Sequence, residues 1–365
     1  MTDLVQLATD GGHRAVPGSR DAAEDPVLEA LLALRTTLGS SPENRIGARL
    51  PLPLALGIGP TDQVLPASLT LLAGAGGDLT AAGWRLGPGR DHAWRGAVNQ
   101  RQALLDAARI AWLGVEGTVQ ISVLGPVSLA AGVLLAGGQR ALMDAGALRD
   151  LPGMLAEGLI EHAAALRERV PGASIHLLVR EDTVGAAHGG RLRNRNGRGY
   201  VPALSAARVG ACWGDLLRFL GGADGPFAAV TLESGSHPDL LTAGMEAGAQ
   251  ALAITPSRLP SLGTEAGRRA WGQIAAAHES GIGCELLVDP GDGAEADADR
   301  VLAMFRELGF SAREAAGMTL LARAGAHRAH RRDPVQEPTE RTLLEAPDLD
   351  RLLRLAPAWA EKVAD

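Results

Sequence analysis

Apolar and polar positions along the chain alternate in a way that predicts short strands separated by amphipathic helices. Gln102 to Leu113 carries apolar residues three and four apart, with Arg101, Asp106 and Arg109 on the opposite face, which predicts a helix. Val119, Ile121 and Val123 then alternate with Gln120 and Ser122, which predicts a strand over 119–124. Asp144 to Arg169 has a long helical pattern that Pro152-Gly153 interrupts, and Ser174 to Val179 reads as the next strand. The order continues with a helix at 209–220, a strand at 227–232, a helix at 238–248 and a strand at 251–255. A helix at 264–280, a strand at 283–288, a helix at 294–308 and a strand at 318–321 complete it. Strands separated by single helices imply a parallel sheet with right-handed crossovers.

Ahead of these elements, Pro51 to Gly59 is an apolar run that closes on a small-residue turn, the form of a first barrel strand and its loop. About eight βα units then fit between Leu52 and Gly325, the size of a (β/α)8 TIM barrel in the α/β class. Residues 1–50 read as an N-terminal extension with one helix, Pro26 to Leu38, which has Asp25 as N-cap and stops at Gly39. Residues 326–365 read as a basic linker and an added C-terminal helix over 348–363, leaving 51–325 as the barrel domain. A doubly wound open sheet is the alternative, but Gly57-Ile-Gly59-Pro-Thr-Asp62 has Asp where the third glycine of a dinucleotide fingerprint belongs.

One stretch, Gly117 to Gln139, is uncharged and long enough to span a bilayer. Gly125-Pro126 in its middle favours a buried strand and turn over a membrane helix. The N-terminus lacks the basic start and apolar core of a signal peptide, and the two cysteines, Cys212 and Cys284, build no disulfide framework. A cytoplasmic protein is expected. With a net charge of -7 the chain has no broad positive field for phosphate backbones, so nucleic acid is not an expected partner, nor is a membrane.

Trp84-Arg85-Leu86, the run from Val119 through Gly125-Pro126 to Gly132, and Asp144 to Glu161 with Leu-Arg-Asp-Leu-Pro and Leu-Ala-Glu-Gly carry a family likeness. In this order they resemble actinobacterial proteins related to the C-terminal domain of cobalamin-independent methionine synthase, which shares a TIM barrel with uroporphyrinogen decarboxylase. The resemblance runs from about Gly57 to the C-terminus. It implies a methyltransferase of the 5-methyltetrahydropteroyltriglutamate–homocysteine type, with zinc at the barrel mouth to bind and activate the thiol. The family's zinc ligands are a His-x-Cys unit on a middle strand, a glutamate and a late cysteine; this chain has Thr231 and Glu233 at the first pair and Ala324 at the last. The resemblance therefore implies a barrel whose zinc ligands are not retained. Its substrate loop keeps Ile58 and Gly59 but follows them with Pro60, and its Asp-Glu-Pro motif stands as Arg180-Glu181-Asp182.

From the residues alone, Glu181 and Asp182 at a strand's C-terminal end, flanked by Arg180, are the candidate acid/base pair, with a structural ion pair at the rim as the alternative; Arg180, Ile58 and Gly59 are the substrate contacts that the resemblance implies. Glu233, His237 and Asp239 form an E-x-x-x-H-x-D cluster that suits a divalent ion, unless His237 and Asp239 serve as the cap of the following helix. His327 and His330 lie in an Arg-rich tail and read as solvated. The arginines of Gly189 to Gly199 and of Ala326 to Arg341 suit either solvated loops or an anion clamp over the mouth. Two functions follow. One is a methyltransferase acting on a homocysteine-like thiol with its metal altered or lost, and the other is a non-catalytic barrel that binds a small molecule, an amino acid or folate, or a protein partner.

Overall fold

The strand read from Pro51 begins at Ile46 and is the second strand of the barrel, not the first. A computed structural model of the chain describes residues 5–14, 25–39, 46–57, 62–194, 198–290, 294–324 and 343–364. Its main sheet is wholly parallel and contains, in spatial order, Thr118–Leu124, Ser174–Arg180, Ala229–Leu232, Ala251–Ile254, Gly283–Val288, Thr319–Ala322 and Val5–Thr9. Its two ends are the halves of one segment: Ile46–Ala48 pairs with Val5–Thr9, and Leu50–Leu52 pairs with Thr118–Leu124. Between them the Arg49 amide donates to the Leu7 carbonyl at 2.9 Å. The sheet thus closes on itself as eight strands, and the α/β TIM-barrel class is the observed one.

Residues 1–50 were expected as an extension, yet they supply the first strand, Val5–Thr9, and the first outer helix, Pro26–Leu38. The helix starts and caps as expected, with Asp25 accepting from the Val27 and Leu28 amides. The strand escapes periodicity because it is five residues long and ends directly in the polar turn Asp10-Gly-Gly. In the same way the added C-terminal helix, Ala346–Ala364, is the eighth helix of the ring. It packs over the first strand, against Ala294–Glu307 on one side and Pro26–Leu38 on the other, with Leu352, Ala356 and Trp359 fully buried.

Two further differences concern local chemistry. The break expected at Pro152-Gly153 does not occur, and Ala145–Arg169 is one helix. Proline there leaves the Leu148 carbonyl without its helical donor. The Cys212 thiol, on the neighbouring helix Ala206–Phe219, reaches that carbonyl at 3.5 Å. A hairpin, Gly76–Thr80 with Gly83–Gly87, inserts after the second strand and buries Trp84 edge-on to Trp94. The uncharged stretch 117–139 forms the third strand and the helix Pro126–Gly132, and no described helix is long and apolar enough to cross a membrane.

Residues pointing down the barrel axis form layers. Ala8, Leu178, Ala253, Leu287 and Leu321, one from each of five strands, make an apolar middle layer that is essentially fully buried. Below it lies a polar layer gathered on Arg49, whose guanidinium donates to Glu285 at 2.7 Å, Gln120 at 3.3 Å and Thr319 at 3.2 Å and meets His176 at 3.0 Å. Thr231 joins by donating to Glu285 at 2.7 Å and meeting His176 at 2.9 Å. One cation thus ties together the second, third, fourth, seventh and eighth strands.

Burial lowers the pKa of His176 to about 3, with the Arg49 charge adding to the effect, and likewise lowers His162 to about 3 and His13 to about 4. A histidine whose folded pKa is depressed stabilises the fold above its unfolded value of about 6.5, and that contribution is lost as pH falls toward the folded pKa. Stability to urea is therefore expected to fall between pH 6.5 and pH 4, and His162→Leu is expected to reduce that slope by about one proton. A second expectation concerns closure: a chain starting at Pro51 lacks the first strand and is expected to give no cooperative unfolding transition by circular dichroism.

Candidate functional site

The C-terminal ends of barrel strands point at the mouth, and here they present charges. Asp10 follows the first strand, Arg180 ends the fourth with Asp182 two residues on, Glu233 follows the fifth and Arg323 follows the eighth. Arg323 forks both oxygens of Glu233 at 2.7 Å, donates to Asp10 at 2.8 Å and lies 3.4 Å from Asp182. Arg180 forks Asp182 at 3.2 and 2.8 Å, donates to the Asp10 carbonyl at 3.0 Å and lies 3.2 Å from its carboxylate. Arg258, in the turn after the sixth strand, is close enough to Glu233 and Asp182 to feel their charge. The three carboxylates, Asp10, Asp182 and Glu233, thus face three guanidiniums, Arg180, Arg258 and Arg323, and the charges cancel.

Burial opposes ionisation of Asp182, yet Arg180 and then Arg323 overcome it and hold its pKa down to about 2. Asp182 is therefore an anion at neutral pH and a poor base. The same carboxylates keep Arg323 protonated, its pKa raised despite its burial. Deeper in the wall Thr9 meets the buried His13 ring at 2.8 Å.

The expected acid/base pair is split. Asp182 faces the mouth, whereas Glu181 turns outward beneath the helix Pro126–Gly132. There it accepts from the Val127 amide at 3.1 Å, the Ser128 amide at 2.7 Å and the Trp213 indole at 2.9 Å. Gly125 is required at this point, because a Cβ would collide with the Glu181 carboxylate. The Gly-Pro signature thus has a packing cause. Burial pushes the Glu181 pKa up to about 7 against the pull of those hydrogen bonds. Its carboxylate is thus turned away from the mouth, where the acid/base pair was expected, and onto two helix amides and an indole.

Of the expected substrate contacts, Arg180 stands at the mouth, while Ile58 and Gly59 lie outside the described residues, as do His327, His330 and residues 326–341. Thr231 points into the barrel on His176 and Glu285, Glu233 is held by Arg323, and Ala324 is half-buried beside Arg323. Cys212 lies on the outer helix Ala206–Phe219 and Cys284 near the start of the strand Gly283–Val288, and burial lifts Cys212 to about 11 and Cys284 to about 12. Of the E-x-x-x-H-x-D cluster, Glu233 is committed to Arg323, and His237 caps its helix by accepting from the Asp239 amide at 3.3 Å. In the Arg-rich loop, Arg193 lies over the Tyr200 ring at 5.6 Å and its carbonyl accepts from Arg140 at 3.2 Å.

Sequence reasoning missed Asp10, Arg258 and Arg323. Asp10 sits in the segment read as an extension, and the other two are arginines among 34 in the chain. Period-two counting from Leu321 would have pointed Arg323 inward, provided the strand's inner face was known.

The class these features define is a (β/α)8 barrel with an ion-paired mouth. No protein-family model and no curated protein matches the chain. Solved structures similar to it include the carboxyl transferase domain of Rhizobium etli pyruvate carboxylase, with 14% identity and a TM-score of 0.26 over 67% of this chain and 41% of that one. Another is a Rhizobium etli pyruvate carboxylase crystallised without acetyl coenzyme A, with 13% identity and a TM-score of 0.26 over 67% of this chain and 24% of that one. The chain spans less than half the length of these neighbours, and at such similarity no chemistry passes from them to it.

Removing one partner of a buried ion pair leaves the others uncompensated, at about 3–5 kcal/mol. Arg323→Ala is expected to lose stability of that order in urea at pH 7; an unchanged midpoint would contradict the pairing. Glu181→Gln turns an amide N–H toward the Ser128 amide and is expected to cost about 1–3 kcal/mol, again read from the urea midpoint.

Proposed function

We propose that this barrel is a divergent relative of the cobalamin-independent methionine synthases in which zinc-dependent methyl transfer to a homocysteine-like thiol is lost, and that it binds a small molecule at its mouth. The observation that supports the reading is the Arg323 fork on Glu233. A guanidinium from the end of the eighth strand occupies Glu233, which stands where the resembled family has a zinc-ligating cysteine. The donor set does not fit thiolate-bound zinc: neither cysteine is at the mouth, and Asp10, Asp182 and Glu233 are paired with arginines. A metal ion there would have to displace a cation already hydrogen-bonded to them.

Ligand binding at such a mouth works by partner exchange. A ligand carboxylate competes for the guanidiniums of Arg258 and Arg323, while a ligand ammonium competes for Asp10, Asp182 or Glu233. Amino acids carry both charges, and folates carry carboxylates on a flat apolar ring system, so these are the ligand classes that suit the charges present. Binding of this kind needs no proton transfer and makes no demand on Glu181.

Two measurements test the reading. Wild-type protein given homocysteine and a methyltetrahydrofolate, with zinc supplied, is expected to form no methionine above background, and enzymatic turnover would sink the loss of methyl transfer. In a thermal-shift panel of amino acids and folates, a ligand at about 100 times its Kd is expected to add about 2.7 kcal/mol, a shift of several degrees. Glu233→Gln is expected to abolish that shift, and a flat response across the panel would remove the ligand classes named.

A further inference from the structure

We infer that His188, His237 and Asp239 form a binding site for a divalent metal ion of the zinc class on the rim of the barrel mouth. The three come from successive loops: His188 ends the short helix after the fourth strand, and His237 and Asp239 open the helix Pro238–Glu246 after the fifth. Each offers one ligand atom, and these atoms all lie within 4.8 Å of one another. The chain distance between His188 and the other two hides this cluster in the sequence. Folding also exchanges one member of the expected set, since Glu233 is drawn to Arg323 and His188 takes its place.

The surroundings orient the ligands. The His188 Nδ1 faces the Leu204 carbonyl at 2.9 Å, and a carbonyl can only accept, so that nitrogen carries the proton and Nε2 keeps its lone pair. This is the outer hydrogen bond that metal-binding imidazoles ordinarily make. The His188 and His237 rings stand edge to face, with centroids 4.7 Å apart and planes at 64°. Arg269 takes one oxygen of Asp239 and leaves Oδ2 turned toward the His237 Nδ1 at 3.8 Å. The cap contact from the Asp239 amide to His237 is long at 3.3 Å, and its loss is small against a metal–nitrogen bond.

Ligand chemistry sets the class of ion. Two imidazoles with one carboxylate suit zinc, cobalt or nickel, whereas magnesium and calcium prefer oxygen ligands throughout. All three residues are at least partly exposed, so an ion can enter, and three protein ligands leave a coordination position open toward solvent. Arg191 and Arg269 also lie near enough to His237 to act on it, and their positive charge works against a bound cation. The site is separate from the ion-paired mouth, and its occupancy is independent of whether methyl transfer is lost there.

Tag-free full-length protein, stripped with chelator, is titrated with Zn2+ by calorimetry and with Co2+ by visible absorption. One equivalent of Zn2+ is expected to bind, and Co2+ to give the absorption of nitrogen-ligated metal. His188→Ala and Asp239→Asn are each expected to weaken Zn2+ binding tenfold or more. His237→Asn keeps an acceptor at the helix N-cap while removing the imidazole, so it is expected to lose the metal without losing thermal stability. His278→Ala, a histidine elsewhere that packs on Phe305 and Phe310, is expected to leave binding intact. Absence of a stoichiometric site in the wild type, or Zn2+ affinity unchanged in both His188→Ala and His237→Asn, overturns the assignment.

Discussion

A closed parallel barrel gives water no lateral route to side chains on its inner face, so each charge placed there must find its partner inside. That constraint organises this molecule. Arg49 meets it at the lower end by drawing Glu285, Gln120, Thr319 and His176 onto one guanidinium. Arg180 and Arg323 meet it at the mouth, where Asp10, Asp182 and Glu233 would otherwise repel one another at close range. Between the two lies the apolar layer of Ala8, Leu178, Ala253, Leu287 and Leu321, which insulates one ion cluster from the other.

The same pairing shapes what the mouth can do. Carboxylates already forked by arginine are committed anions, and the electrostatics that hold Asp182 ionised also make it a weak proton acceptor. The cations that balance these carboxylates are fixed to the chain. Glu181, the carboxylate whose pKa is displaced toward neutrality, stands outside the barrel wall under a short helix, with its acceptor capacity used on two backbone amides and an indole. A perturbed pKa marks a buried group first, and only its position says whether it meets a ligand.

Much of the fold was legible because helices and strands here have clean periods. Asp25 and Pro26 fixed the start of the first helix, and alternation fixed the strand at 119–124. The closing strand was not legible: Val5–Thr9 is too short to show a period, and its neighbours, Thr319–Ala322 and Ile46–Ala48, lie hundreds or tens of residues away. Helix continuity through Pro152 was hidden for a related reason, since the thiol that meets the freed Leu148 carbonyl belongs to another helix. Of the mouth, Arg180, Asp182 and Glu233 were named from their places at strand ends, while Asp10, Arg258 and Arg323 were not.

By itself the sequence determined the alternating α/β class and the caps and turns, because these depend on residue type and local spacing. Only the tertiary structure decided which strand closes the barrel, that Glu181 faces away from the mouth while Asp182 faces into it, and that Arg323 sits on Glu233. It also brought His188 beside His237 and Asp239. The physical reason is common to all four: each is a contact between residues far apart in the chain, and the direction a side chain takes from a strand is fixed by which face of the closed sheet is inside.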